Sequence, residues 1–104
     1  MRAKKVDANQ KQIVEELRGL GIDVFVASDF GNGFPDLVIP YAGFNWFVEI
    51  KTKTGTLTRD QRKFKEKWTQ GQYSVCRSTA EVLEQIGAES QIELLATSTR
   101  NAGV

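Results

Sequence analysis

The chain has no histidine, one cysteine, one methionine and two prolines in 104 residues. Without histidine there is no imidazole general base, no His–metal motif, and no serine or cysteine triad of the usual kind. Cys76 has no partner for an internal disulfide, which fits a reducing cytoplasm. No apolar run approaches the roughly 20 residues that span a bilayer, so no membrane association is expected. The opening "MRAKK" has charge but no apolar stretch behind it, and does not read as a signal peptide. Repeats, linkers and low-complexity segments are also missing. What is present, 40% hydrophobic and 26% charged residues, is the composition of one globular domain over residues 1–104. Its core is expected over about 7–87, between a basic arm at 1–6 and a tail at 88–104.

Net charge is only +1, but it is unevenly spread. Residues 51–67 hold Lys51, Lys53, Arg59, Arg62, Lys63, Lys65 and Lys67 against Asp60 and Glu66. Residues 78–104 hold Glu81, Glu84, Glu89 and Glu93 against Arg100. A basic cluster on a near-neutral chain points to a directed anionic partner, although a solvated helix face gives the same pattern.

Residues 7–20 carry Ile13, Val14, Leu17 and Leu20 at helical spacing, with Asp7 as cap and Gly21 past the end. Residues 22–28, "IDVFVAS", alternate as a strand. "DFGNGFP" at 29–35 is a loop, and its glycines allow positive φ and close backbone approach. Strands are expected at 36–40 and 45–52, joined by "YAGF". A helix over 58–70 has Thr58 as cap, with Phe64 and Trp68 on its buried side. Residues 72–77 form a further strand. Ser78 caps a third helix, with Val82, Leu83 and Ile86 facing in and Gly87 ending it. In the tail, "QIELLAT" reads as a possible strand. The order α-β-β-β-α-β-α predicts a mixed α/β sheet: an antiparallel meander, one parallel crossover neighbour, and helices packed on it.

The hairpin poses a chemical problem. With "YAGF" as a four-residue loop, Ile39 faces Trp46, Leu37 faces Val48 and Asp36 faces Glu49. Alternation then puts Leu37, Ile39, Trp46, Val48 and Ile50 on one face, and Asp36, Val38, Phe47, Glu49 and Lys51 on the other. Directly opposed carboxylates destabilise a sheet by roughly 0.2–1 kcal/mol at exposed sites. Lys51 relieves part of this repulsion. A divalent cation would relieve more: Mg²⁺ takes one or two carboxylates, keeps several waters and completes its shell with phosphate oxygens. Beside such an ion a lysine can orient a water or stabilise developing negative charge. An ordinary surface salt-bridge patch accounts for the same spacing equally well, and a register shifted by one residue would separate the carboxylates.

"PD" at 35–36, followed thirteen residues after Asp36 by "EIK" at 49–51, resembles the PD-(D/E)XK nuclease motif. The wider stretch "GNGFPDLVIPYAGFNWFVEIKTKTGTLTRDQRKF" is similar to stand-alone VRR-NUC-type nucleases, often virus-encoded, and more distantly to archaeal Holliday-junction resolvases. The likeness runs from about Arg2 to about Gly87. It implies a restriction-endonuclease-like α-β-β-β-α-β core and metal-dependent cleavage of DNA phosphodiesters. Asp36 and Glu49 would hold Mg²⁺ or Mn²⁺ with the backbone carbonyl of Ile50, and Lys51 would serve the water and the scissile phosphate. Gln61 matches a glutamine at the start of the family's second helix. The chain departs from the resolvase pattern at Gln10, where those relatives carry a glutamate; Gln10 is expected to support the site without charge. No organic cofactor is implied.

Under that reading, Lys53, Arg59, Arg62, Lys63, Lys65 and Lys67 contact phosphates, as do Arg2, Lys4 and Lys5 from the arm. Gly31, Asn32 and Gly33 belong to a loop over the site. Such contacts give position and salt dependence, not sequence readout, so the expected substrate is structured DNA: junctions, flaps or branches. An enzyme cutting two strands would benefit from two sites about a two-fold axis, hence a homodimer. The competing reading is a non-catalytic nucleic-acid-binding module on a nuclease fold, motivated by Gln10. A weaker third is a structural protein with an incidental basic helix.

Overall fold

The computed structural model describes residues 8–102. Asp7 and the basic arm with Arg2, Lys4 and Lys5 therefore lie outside the described residues. Helix α1 (Ala8–Gly19) buries Gln10, Ile13, Val14 and Leu17, one stripe at helical spacing. Strand β1 (Phe25–Val26) is followed by a single 3-10 turn at Ser28–Phe30. Strands β2 (Leu37–Tyr41) and β3 (Phe44–Ile50) form the hairpin. Helix α2 (Arg59–Lys67), strand β4 (Gln72–Cys76) and helix α3 (Thr79–Ile86) follow, and helix α4 (Gln91–Ala102) comes last.

The sheet order is β1-β2-β3-β4. The first two pairings are antiparallel and the last is parallel, giving the mixed sheet with packed helices that the element order predicts. No described helix is long and apolar enough to cross a membrane.

The hairpin register agrees with the expectation at Leu37–Val48, Val38–Phe47, Ile39–Trp46 and Pro40–Asn45. The loop is shorter than "YAGF", because Tyr41 also pairs with Phe44. Ala42 and Gly43 alone make the turn, at φ 53° and 86°. Two consecutive positive φ values are those of a type I′ turn, whose twist matches that of the strands.

Two segments differ from the sequence reading. β1 covers two residues, not seven, although Ile22 and Val24 are buried. Phe25 pairs with Val38, so Asp23 would meet Pro40, which has no N–H to extend the ladder. The tail is helical where a strand was expected. Ile92 and Leu95, three apart, pack against the core, so one helical face is used where a strand would have alternated.

On one side of the sheet Leu37, Ile39, Val48, Ile50 and Cys76 pack with α1 and α3 around the fully buried Leu17, Val82 and Leu83. Each such buried side chain contributes roughly 1.5–3 kcal/mol relative to exposure. On the other side α2 lays an aromatic layer over the sheet. Phe64 stacks on Trp68 with centroids 5.2 Å apart, and Phe34, Phe47 and Tyr73 surround Phe64. Trp68 closes α2 as its C-cap and is partly exposed, less buried than its position beside Phe64 predicts.

Candidate active site

Asp36 is in register with Glu49, one step past the Leu37–Val48 pair. Leu37, Val48 and Ile50 face the aliphatic core, so alternation turns both carboxylates to the opposite face, at the end of the sheet away from the hairpin turn. Both are buried, Asp36 with 3% and Glu49 with 1% of its surface exposed.

Neutral donors are among the partners of the pair. Asp36 Oδ2 accepts from the Ile50 N–H at 2.9 Å, and Asp36 Oδ1 accepts from Ser28 Oγ at 3.3 Å. β2 begins only at Leu37, so the side chain of Asp36 takes a β3 donor that lies beyond the paired strand. A strand residue directs its N–H and C=O to the same side, so the Ile50 carbonyl also faces the Asp36 end.

Ser28 in turn accepts from Gln10 Nε2 at 2.8 Å. Gln10 therefore reaches Asp36 through the Ser28 hydroxyl, from a buried position on α1. Its link to the carboxylate runs through Ser28, an intermediary that the sequence reading missed.

Gln61 holds the second carboxylate. Thr58 and Gln61 form a capping box: Gln61 N–H donates to Thr58 Oγ1 at 3.2 Å, and Thr58 N–H donates to Gln61 Oε1 at 2.8 Å. With Oε1 committed to the cap, Nε2 points at Glu49 and donates to its Oε2 at 3.0 Å. One amide side chain thus starts α2 and fixes Glu49.

Lys51 N–H donates to Cys76 O at 3.0 Å, carrying the ladder one residue past β3, and alternation would put its side chain on the side of Glu49. Its carbonyl accepts from Asn9 Nδ2 at 3.0 Å. The loop that follows is fastened by Arg77, whose Nη1 donates to Thr52 O and, at 2.8 Å, to Gly55 O. Asn9 and Arg77 therefore hold the backbone at the lysine and just after it.

Tyr73 also belongs here. It pairs with Phe47 in the parallel ladder and so shares the face of the carboxylates. Burial, with Glu49 and then Asp36 adding, pushes its phenol up to about 12. Among the described residues no group hydrogen-bonds its buried hydroxyl.

Gly33, in the loop before Asp36, has φ +81°. A Cβ there would lie 2.2 Å from the Asp60 carbonyl oxygen and 2.8 Å from Gln61 N. The loop is packed on the first turn of α2, which gives this glycine a structural reason for its identity. Gly31 is half-buried and Asn32 exposed.

Lys53, Arg59, Arg62, Lys63, Lys65 and Lys67 are all exposed. Arg62 donates to Leu57 O at 2.9 Å, folding back on the turn before α2. The inward-facing α2 residues, buried Gln61 and half-buried Phe64, split the cations between two flanks: Arg59, Lys63 and Lys67 on one, Arg62 and Lys65 on the other.

Two buried carboxylates with a backbone carbonyl on the same edge make an all-oxygen donor set, which suits Mg²⁺ or Mn²⁺. Among the described residues no three of His, Cys, Asp and Glu come together, so water and a ligand's oxygens would have to complete any ion's shell. Ser28 and Tyr73 went unnoticed in the sequence. Gln10 and Gln61 did carry a signal, since each is an amide on an otherwise apolar helical stripe. Comparison with protein-family models, curated proteins and solved structures finds no match.

Proposed function

We propose that the protein is a metal-dependent endonuclease that hydrolyses DNA phosphodiester bonds in structured DNA. The observation that carries this reading is the pair Asp36 and Glu49, buried in register on one face; strand alternation would put Lys51 on the same side. Burying two like charges side by side is costly, and a divalent ion converts that cost into a ligand set. The PD-(D/E)XK resemblance assigns roles to these same residues.

Asp36, Glu49 and the Ile50 carbonyl would hold Mg²⁺ or Mn²⁺. When bound, the ion supplies Lewis acidity toward a phosphate oxygen and an acidified water. Ser28 and Gln10 keep Asp36 in place, and Gln61 keeps Glu49 in place. Lys51 orients the water and meets charge developing on the phosphate. The exposed Lys53, Arg59, Lys63 and Lys67 engage the DNA backbone, which attracts the strand without reading its sequence. A two-fold dimer would present two such sites to two strands.

A second reading, a nucleic-acid-binding module without catalysis, is favoured by Gln10, an amide where a third carboxylate would strengthen ion binding. One assay separates them: purified protein against duplex, flap and four-way-junction DNA with Mg²⁺, Mn²⁺ or chelator. The nuclease reading expects ion-dependent cleavage that Asp36→Asn abolishes. Salt-sensitive binding with no cleavage under either ion establishes the module instead.

A further inference from the structure

Phe30 is the most exposed large apolar side chain among the described residues, with 70% of its surface open. It is not isolated. Its ring stands edge-on to Phe34 at 4.9 Å, and Phe34 stands edge-on to Phe64 at 5.5 Å. The outermost ring of the aromatic layer is therefore held from behind while its free face meets solvent. It sits in the turn Ser28–Phe30, two residues from the serine that donates to Asp36.

The surroundings select what can lie on this ring. The loop carrying Phe30 abuts α2 at Asp60, through Gly33. Arg59, Lys63 and Lys67, spaced four apart, form the row of α2 beside Asp60. Asp29, Asp60 and Glu66 are the acids of this region, and the five cations of α2, with Arg62 and Lys65 beside the row, outnumber them. A second copy docked here across a two-fold axis would bring cationic rows together. A polyanion with flat apolar groups fits both features at once: phosphates on the cations, a base on the ring.

We propose that Phe30 is a stacking platform for one unpaired base of the nucleic acid, so that the preferred substrate has an unstacked nucleotide beside the phosphate held at Asp36 and Glu49. This deepens the nuclease reading and rests on it for the identity of the ligand class. A fully paired duplex keeps its bases stacked on one another and offers nothing to the ring.

The test is a binding cycle in chelator, where cleavage does not enter. Affinity is measured by fluorescence anisotropy for a duplex with one unpaired base and for the same duplex with an abasic residue there. The protein is wild type, Phe30→Ala or Phe30→Trp. Stacking of one base predicts that Phe30→Ala weakens binding of the unpaired-base ligand about ten-fold. The abasic ligand should be weakened less than two-fold, and Phe30→Trp should restore the difference. Equal weakening of both ligands, or none, overturns the platform. So does a Phe30→Ala-dependent change in sedimentation of the free protein, which would assign the ring to self-association. These outcomes leave the nuclease reading standing, because that reading fails only in the cleavage assay.

Discussion

Gln61 Nε2 donates to Glu49 Oε2 at 3.0 Å, while the Oε1 of the same amide accepts from the Thr58 N–H at 2.8 Å. The residue that caps α2 is thus the residue that orients a buried carboxylate of the sheet. The helix that bears the cations and the strand that bears the acid are registered to each other through one side chain.

Gln61→Leu should therefore cost more than a surface substitution. It removes one half of the capping box and leaves Glu49 without that donor, an expected loss of about 1–3 kcal/mol. Urea unfolding checks this, with Lys63→Ala on the exposed side of α2 changing stability by less than about 0.5 kcal/mol. Equal midpoints for the two variants would remove Gln61 from the framework.

Gly33→Ala tests the close approach of the loop to α2. The added Cβ would lie 2.2 Å from the Asp60 carbonyl oxygen, at a φ of +81° that L-residues disfavour. Strain alone costs of order 1–3 kcal/mol, and relief requires the loop and α2 to part, which disturbs the start of α2 where Gln61 meets Glu49. The expected result is lower stability together with a larger fall in cleavage than the stability loss explains. Gly43→Ala, with nothing within 4 Å of the added Cβ, separates the φ effect from the clash.

Alkaline pH should weaken the fold through two groups. Burial pushes the Cys76 thiol from 9.0 up to about 11, and the Tyr73 phenol rises from 10.0 to about 12. Both are neutral when protonated, and the folded state binds those protons more tightly. Their contribution is complete below pH 9, falls as pH rises from 9.0 to about 11 for Cys76, and falls from 10.0 to about 12 for Tyr73. Tyr73→Phe should flatten the second segment of a stability-against-pH curve. Below pH 9 it should be at least as stable as wild type, since no described group bonds the hydroxyl. A variant destabilised at neutral pH would show that the hydroxyl has a structural partner.

The hairpin was legible because two local rules agree. Alternating burial fixes the faces, and the turn fixes the register, so Asp36 and Glu49 fall on one side whether the turn is two residues or four: both loops are even. The shortness of β1 was harder to see, because Ile22 and Val24 alternate like strand residues and are buried without pairing; the limit comes from Pro40, a residue of the neighbouring strand. In α4, Ile92 and Leu95 have helical spacing, but the short run "QIELLAT" satisfies a strand pattern too, and only the core it packs against decides. Ser28 was invisible for a different reason. Its role arises when β1 and β2 meet, the Ala27 N–H donating to Asp36 O at 2.7 Å, and no local pattern encodes that meeting.

The central claim is that Asp36 and Glu49 grip one divalent ion between them. Mn²⁺ titration followed by electron paramagnetic resonance, on wild type, Asp36→Asn and Glu49→Gln, tests it most directly. In Asp36→Asn the amide oxygen still accepts from the Ile50 N–H while the NH2 can donate to Ser28 Oγ, and Glu49→Gln keeps an acceptor for Gln61 Nε2, so both should remain folded. The account predicts one Mn²⁺ bound per wild-type chain, displaced by Mg²⁺, and a loss of that binding in each single variant. Equal Mn²⁺ binding by all three proteins would contradict it.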